Sequence, residues 1–177
     1  MVALVALSGM LAVLQDARAL AAFGAIGGFL APVLVSTGAG NHVMLFSYYA
    51  LLNAGIFGVA WFRAWRELNL IGFAFTFVIG ALWGQRYYQP DFFVSTEPFL
   101  VLFFAFFVGI AVLFAHRQPP QRRGYVDGAI VFGVPVVGFG LQAGLVRPHE
   151  YALAISALAM SGVYVGLASA LWRRQVP

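Results

Sequence analysis

The chain has 177 residues, of which 62% are hydrophobic and only 9% charged, and 20 more are glycine. A soluble domain carries about 25% charged residues, so this chain lacks the polar material to cover a surface facing water. A soluble enzyme, a disordered chain and a nucleic-acid-binding domain are excluded, and the net charge of +4 must be read through where the charges sit.

Seven apolar stretches follow one another: Met1–Leu14, Leu20–Val35, Val43–Phe62, Leu68–Gly84, Phe99–Ala115, Gly128–Val146 and Tyr151–Trp172. A spanning helix needs about 20 apolar residues, and most of these stretches supply that length. The first is short and begins flush at Met1, as expected of a piece of a longer chain. Ala17-Arg18-Ala19 has the small-x-small form of a signal cleavage site, but no basic region precedes the apolar run. Period-two alternation is absent, which argues against a membrane β-barrel. In lipid the backbone must satisfy its own hydrogen bonds, so these runs are read as helices. The expected fold is all-α: a polytopic membrane bundle of about seven helices in a single domain, 1–177.

Within the second stretch, Gly24 and Gly28 are spaced for close helix packing, and Pro32 lies inside the span. The third carries Asn53 near its centre. Such a residue binds a substrate or ion, or makes an interhelical hydrogen bond. The fourth places Gly72, Thr76, Gly80 and Gly84 in register at i+4 spacing. That face is expected to meet a neighbour, and Gly80→Leu to separate the helices. Thr76 is also a candidate intramembrane polar group. Thr96-Glu97-Pro98 reads as a helix start with a hydroxyl cap and an early proline. The phenylalanine-rich fifth stretch that follows is expected to face lipid. The sixth contains Pro135, with Gly140 and Gly144, and Asp127 stands before it as a carboxylate near a helix N-terminus. The seventh has Gly162 and Gly166.

All ten basic residues are arginines. With alternating spans, eight of them (Arg18, Arg63, Arg66, Arg117, Arg122, Arg123, Arg173 and Arg174) share one side, and only Arg86 and Arg147 the other. Arginine-rich short loops stay cytoplasmic, so the N-terminus is expected outside and the C-terminus inside. Trp61, Trp65, Tyr125 and Trp172 would anchor the inner interface. Trp83, Tyr87, Tyr88 and Tyr151 would anchor the outer one.

Motif chemistry is sparse. There is no cysteine, no HExxH and no phosphate-cradling loop, and His42, His116 and His149 have no metal-ligand spacing. No cofactor or metal is expected. The outer face holds a candidate polar cluster of Arg86, Asp91, Glu97, Arg147, His149 and Glu150. The two arginines either grip an anionic group such as a lipid phosphate or pair with these acids.

Several segments taken together carry a resemblance. They are Gly27-Gly28-Phe29-Leu30-Ala31-Pro32, Ser36-Thr37-Gly38, the run from Leu45 to Asn53, Trp65-Arg66-Glu67-Leu68-Asn69, and Trp83-Gly84-Gln85-Arg86-Tyr87-Tyr88. Val126-Asp127-Gly128 and Val131-Phe132-Gly133-Val134-Pro135 complete the set. Over nearly the whole chain they resemble a family of bacterial polytopic membrane proteins catalogued as domain of unknown function 2339. The resemblance implies a multi-pass protein of the bacterial cytoplasmic membrane and carries no settled activity or cofactor. It also implies a threonine where Val134 stands.

Three functions stay open: a transport or channel-like module, a membrane-embedded transferase acting on a lipid-linked or cell-envelope substrate, and a non-catalytic scaffold. A continuous polar cavity would favour the first. A blind outer cleft with Arg86 facing Glu97 would favour the second, and a solid bundle the third. The expected partners are the lipid bilayer and further helices of a longer chain or an oligomer, with no nucleic acid.

Overall fold

A computed structural model of the chain describes residues 7, 11, 17–35, 41–63, 65–117, 125–147 and 151–175. Among them are six α-helices and no strand: α1 (Arg18–Val35), α2 (His42–Phe62), α3 (Arg66–Tyr87), α4 (Phe93–Arg117), α5 (Tyr125–Leu145) and α6 (Ala152–Gln175). Five of these are long and apolar enough to cross a membrane; α5 contributes a shorter apolar helix over Ile130–Leu145. Of the first apolar stretch, Met1–Leu14, only Leu7 and Leu11 are described.

The helix ends follow local chemistry. Asn41 caps α2, its side-chain oxygen accepting from the Val43 N–H at 2.8 Å. A 3-10 turn over Pro90–Phe92, with proline in its first turn, leads directly into α4. Helix α4 therefore begins at Phe93, and Pro98 lies inside it. The expected start at Thr96-Glu97-Pro98 is corrected: Pro90 is the proline at the entry, and Thr96 is not a cap.

Helix α3 is central, touching α1, α2, α4 and α5, while α6 packs on α5 alone among the well-populated contacts. Residue pairings give the directions. Phe46 meets Phe99 and Phe57 meets Phe106, so α2 and α4 run the same way. Asn53 meets Thr76 and Ile56 meets Gly72, so α3 runs opposite to α2. Arg86 and Arg147 consequently share an end with His42, and Arg63 and Arg66 lie at the other.

The buried faces have helical spacing. On α2 they are Phe46, Tyr49, Asn53, Ile56 and Ala60; on α4, Phe103, Phe107, Ile110 and Phe114. The expectation that the phenylalanine-rich helix faces lipid is overturned, because these rings fill the core between α2, α3 and α5. Its large exposed apolar residues are Val94, Val101 and Leu102, none of them a phenylalanine. Val134 is likewise fully buried in the core.

Glycine and phenylalanine mesh at the crossings. A Cβ at Gly109 would lie 3.2 Å from the Phe57 ring, at Gly133 3.1 Å from Phe73, and at Gly138 3.2 Å from Phe104. Small residues let helices approach in lipid, and here each glycine seats a ring. Gly72 is the tightest: a Cβ there would lie 2.6 Å from Ile56 Cδ1. Gly80 and Gly84 have nothing within 4 Å of such a Cβ, nor do Gly162 and Gly166. The expected helix-separating role of Gly80 is therefore corrected, since the close approach belongs to Gly72, two i+4 steps earlier. Gly28 is buried in α1, and Gly24 is half-buried.

Pro32 lacks an N–H, which leaves the Gly28 carbonyl without its helical donor. Tyr48 of α2 supplies one, its hydroxyl donating to that oxygen at 2.9 Å. Tyr49 donates to the next carbonyl, of Phe29, at 3.0 Å.

Candidate functional site

Between α2, α3, α4 and α5, toward the His42 end, lies a cavity of about 50 Å³. Helix α3 lines it with Thr76, Phe77, Gly80, Trp83 and Gly84, and α4 with Thr96, Phe99, Leu100 and Phe103; Phe46 of α2 and Leu141 and Leu145 of α5 complete the wall. The space exists because Gly80 and Gly84 put no side chain into it. A site of about 10–15 Å³ holds one water, so this cavity has room for a few waters or a small molecule.

Asn53 fixes one side of it. Its Nδ2 donates to the Tyr49 carbonyl at 2.9 Å and to Thr76 Oγ1 at 2.8 Å. Asn53 Oδ1 and Thr96 Oγ1 are buried and have no hydrogen-bond partner among the described residues. Buried polar atoms are nearly always paired, so each exception asks for a cause.

Polar clasps close the helices at the same end. His42 Nε2 lies 2.7 Å from Ser95 Oγ, and Ser95 Oγ donates to the Phe92 carbonyl at 3.0 Å. The serine proton is thus committed, and His42 Nε2 must be the donor. The imidazole also packs against Trp83 and Phe92, with centroids 5.1 and 4.6 Å away. Tyr88 donates to the Leu145 carbonyl at 2.9 Å. Burial raises the Tyr88 pKa, and the charge of Glu97 adds to the shift, which keeps the phenol in its donor form. Gln142 Nε2 donates to Glu97 Oε1 at 2.6 Å and to Ser156 Oγ at 3.0 Å, joining α4, α5 and α6.

Of the sequence-derived polar cluster, the described members Arg86, Asp91, Glu97 and Arg147 do not pair with one another. Arg86 is exposed and lies over the ring of its neighbour Tyr87, 5.7 Å from the centroid. No ion pair joins Arg86 or Arg147 to Asp91 or Glu97 among the described residues. Asp91 and Arg147 are exposed. His149 and Glu150 lie outside the described residues. Glu97 takes Gln142 as its partner instead, while its Oε2 is buried without one.

Across the whole chain, residues 1–177, the sequence matches a family model described as "Predicted membrane protein (DUF2339)". The chain belongs to this family. No curated protein and no solved structure matches it. This family member is therefore a membrane protein with several apolar helices, and its chemistry has to be argued from its own side chains.

Sequence reasoning missed Gln142, Ser95, Thr96 and Asn69 in this member. Gln142 carried a usable signal, being an amide inside an otherwise apolar run. Thr96 was hidden by its resemblance to a cap. Asn69 is buried near the start of α3 with both amide atoms unpartnered among the described residues, and it lies away from the cavity. The aromatic belt also divides. Trp61 and Trp172 are exposed as anchors are, whereas Trp65 is buried in the core and Trp83 lines the cavity.

Proposed function

We propose that this bundle is a transport or channel-like module of the bacterial cytoplasmic membrane. A small solute enters from the His42 end and reaches the Asn53–Thr76 pair. The reading rests on one observation: the cavity between α2, α3, α4 and α5 reaches Thr76, which Asn53 holds from the neighbouring helix. The arginine distribution supports the reading of the His42 end as the outer one. The transferase reading loses its main support, because Arg86 and Glu97 form no pair.

One observation favours the scaffold reading. The spanning window of α6 has no buried residue, and Gly162 and Gly166 on it are exposed. Such a face suits further helices as well as lipid.

Reconstitution into proteoliposomes separates the two. Transport requires solute flux above that of empty vesicles, reduced by Asn53→Ala and by Gly80→Leu, whose side chain would fill the cavity. Flux equal to empty vesicles for neutral and charged solutes alike would leave the scaffold. Flux unchanged in both variants would move the path elsewhere.

A further inference from the structure

We infer that the cavity takes an uncharged, largely apolar molecule bearing an acceptor oxygen, that is, an alcohol, ether or carbonyl, and excludes ions. This deepens the transport reading, because it takes the cavity as that module's binding site.

Three features carry the inference. The first is charge. No acid, arginine or histidine lines the cavity, so an ion entering it would meet no counter-charge in a low-dielectric wall. Glu97, on the neighbouring position to Thr96, is held by Gln142, and Arg86 is exposed.

The second is hydrogen bonding. A hydroxyl has one proton to give and can accept as well. Thr76 Oγ1 accepts from Asn53 Nδ2, and no acceptor for the threonine's own proton is found among the described residues. Thr96 is 6% exposed, lines the cavity, and has no partner in either role. Both hydroxyls therefore have a proton to donate, and what meets them must carry a lone pair. The third is shape. Phe46, Trp83, Phe99 and Phe103 supply an apolar wall, and the open faces of Gly80 and Gly84 leave room for a small hydrocarbon body.

The oxygen can come from a free solute or from the ester group of a membrane lipid, and one experiment distinguishes them. The chain has no cysteine, so Gly80→Cys gives a single thiol in the cavity wall. Its modification by the neutral reagent methyl methanethiosulfonate is timed in phospholipid nanodiscs and in an alkyl detergent without esters. Butanol, butanone, pentane, butyrate and butylammonium are added in turn.

Butanol and butanone should slow modification, and the two ions should not. Thr96→Val should raise the half-protecting concentration by roughly three- to tenfold, the worth of one hydrogen bond, and Thr96→Ser should restore it. A thiol slow in phospholipid and fast in detergent identifies the lipid ester as the oxygen source. Equal rates with protection by butanol identify a free solute.

Pentane protecting as well as butanol, or the ions protecting equally, overturns the inference. So does a Thr96→Val variant of unchanged melting temperature and unchanged protection. If Thr96→Val does not fold, the comparison of butanol with pentane decides alone. Oxygen-dependent protection without flux sinks transport and keeps the binding site. Flux without oxygen-dependent protection does the reverse. A thiol unreactive in both media sinks both.

Discussion

At the scale of single residues, the membrane interior makes every unpaired backbone group expensive, and Tyr48 answers a need created by Pro32. The proline removes the donor to the Gly28 carbonyl, and the tyrosine hydroxyl replaces it from another helix. Tyr48→Phe should lower stability by about 1–2 kcal/mol, the cost of a buried acceptor left unmet. In a Pro32→Ala background the helix regains its own N–H, so the same change should cost much less. Thermal unfolding in detergent measures this cycle, and additive effects would show that the bond does not serve the proline. Asn53 was readable in the sequence as an unusual polar residue in mid-span. Its partner Thr76 was readable as well, though only as part of a small-residue stripe. That the two meet depends on the register between α2 and α3, which no local spacing encodes.

Among the helices, the same glycine spacing serves two opposite purposes along α3. Gly72 seats Ile56, and a Cβ there would press on Ile56 Cδ1 while meeting Asn53 and Phe107 at ordinary contact distance. Gly80 borders open space. Gly72→Ala should therefore destabilise by about 1–2 kcal/mol, because overpacking outweighs the gain in helix propensity. Gly80→Ala should stabilise by about 0.5–1 kcal/mol, as alanine for glycine does in an unhindered helix. Melting temperatures of the two variants check the signs, and equal signs would contradict the packing described. The i+4 pattern was legible in the sequence, but it cannot tell a contact from a cavity, since both need a missing side chain. The reverse misreading occurred on α4. Its phenylalanines look lipid-soluble one by one, yet Phe103, Phe107 and Phe114 fall on one buried face with Ile110.

For the molecule as a whole, the charge pattern predicts a direction across the membrane. Arg86 and Arg147 sit at the His42 end, and Arg63 and Arg66 at the opposite end. With the His42 end outward, Arg86→Cys should react with an impermeant thiol reagent in intact cells, and Arg122→Cys should react only after the membrane is opened. Labelling of position 122 from outside would reverse the orientation. Helix α6, almost uncovered by its own chain, is where the bundle has most surface left for lipid or for additional helices.

Composition and periodicity by themselves determined that the chain is a membrane protein with several apolar helices, and they set the expectation of which ends collect arginine. These follow from one-dimensional physics: apolar length against bilayer thickness, and charge against the cost of crossing it. Only the tertiary structure decided that the phenylalanine-rich helix buries its rings in the core, that Gly72 packs while Gly80 opens a cavity, and that Gln142 rather than Arg86 holds Glu97. Those outcomes depend on which faces meet and at what register. In lipid, where burial alone does not rank one apolar face above another, close packing and hydrogen-bond satisfaction across helices make that choice.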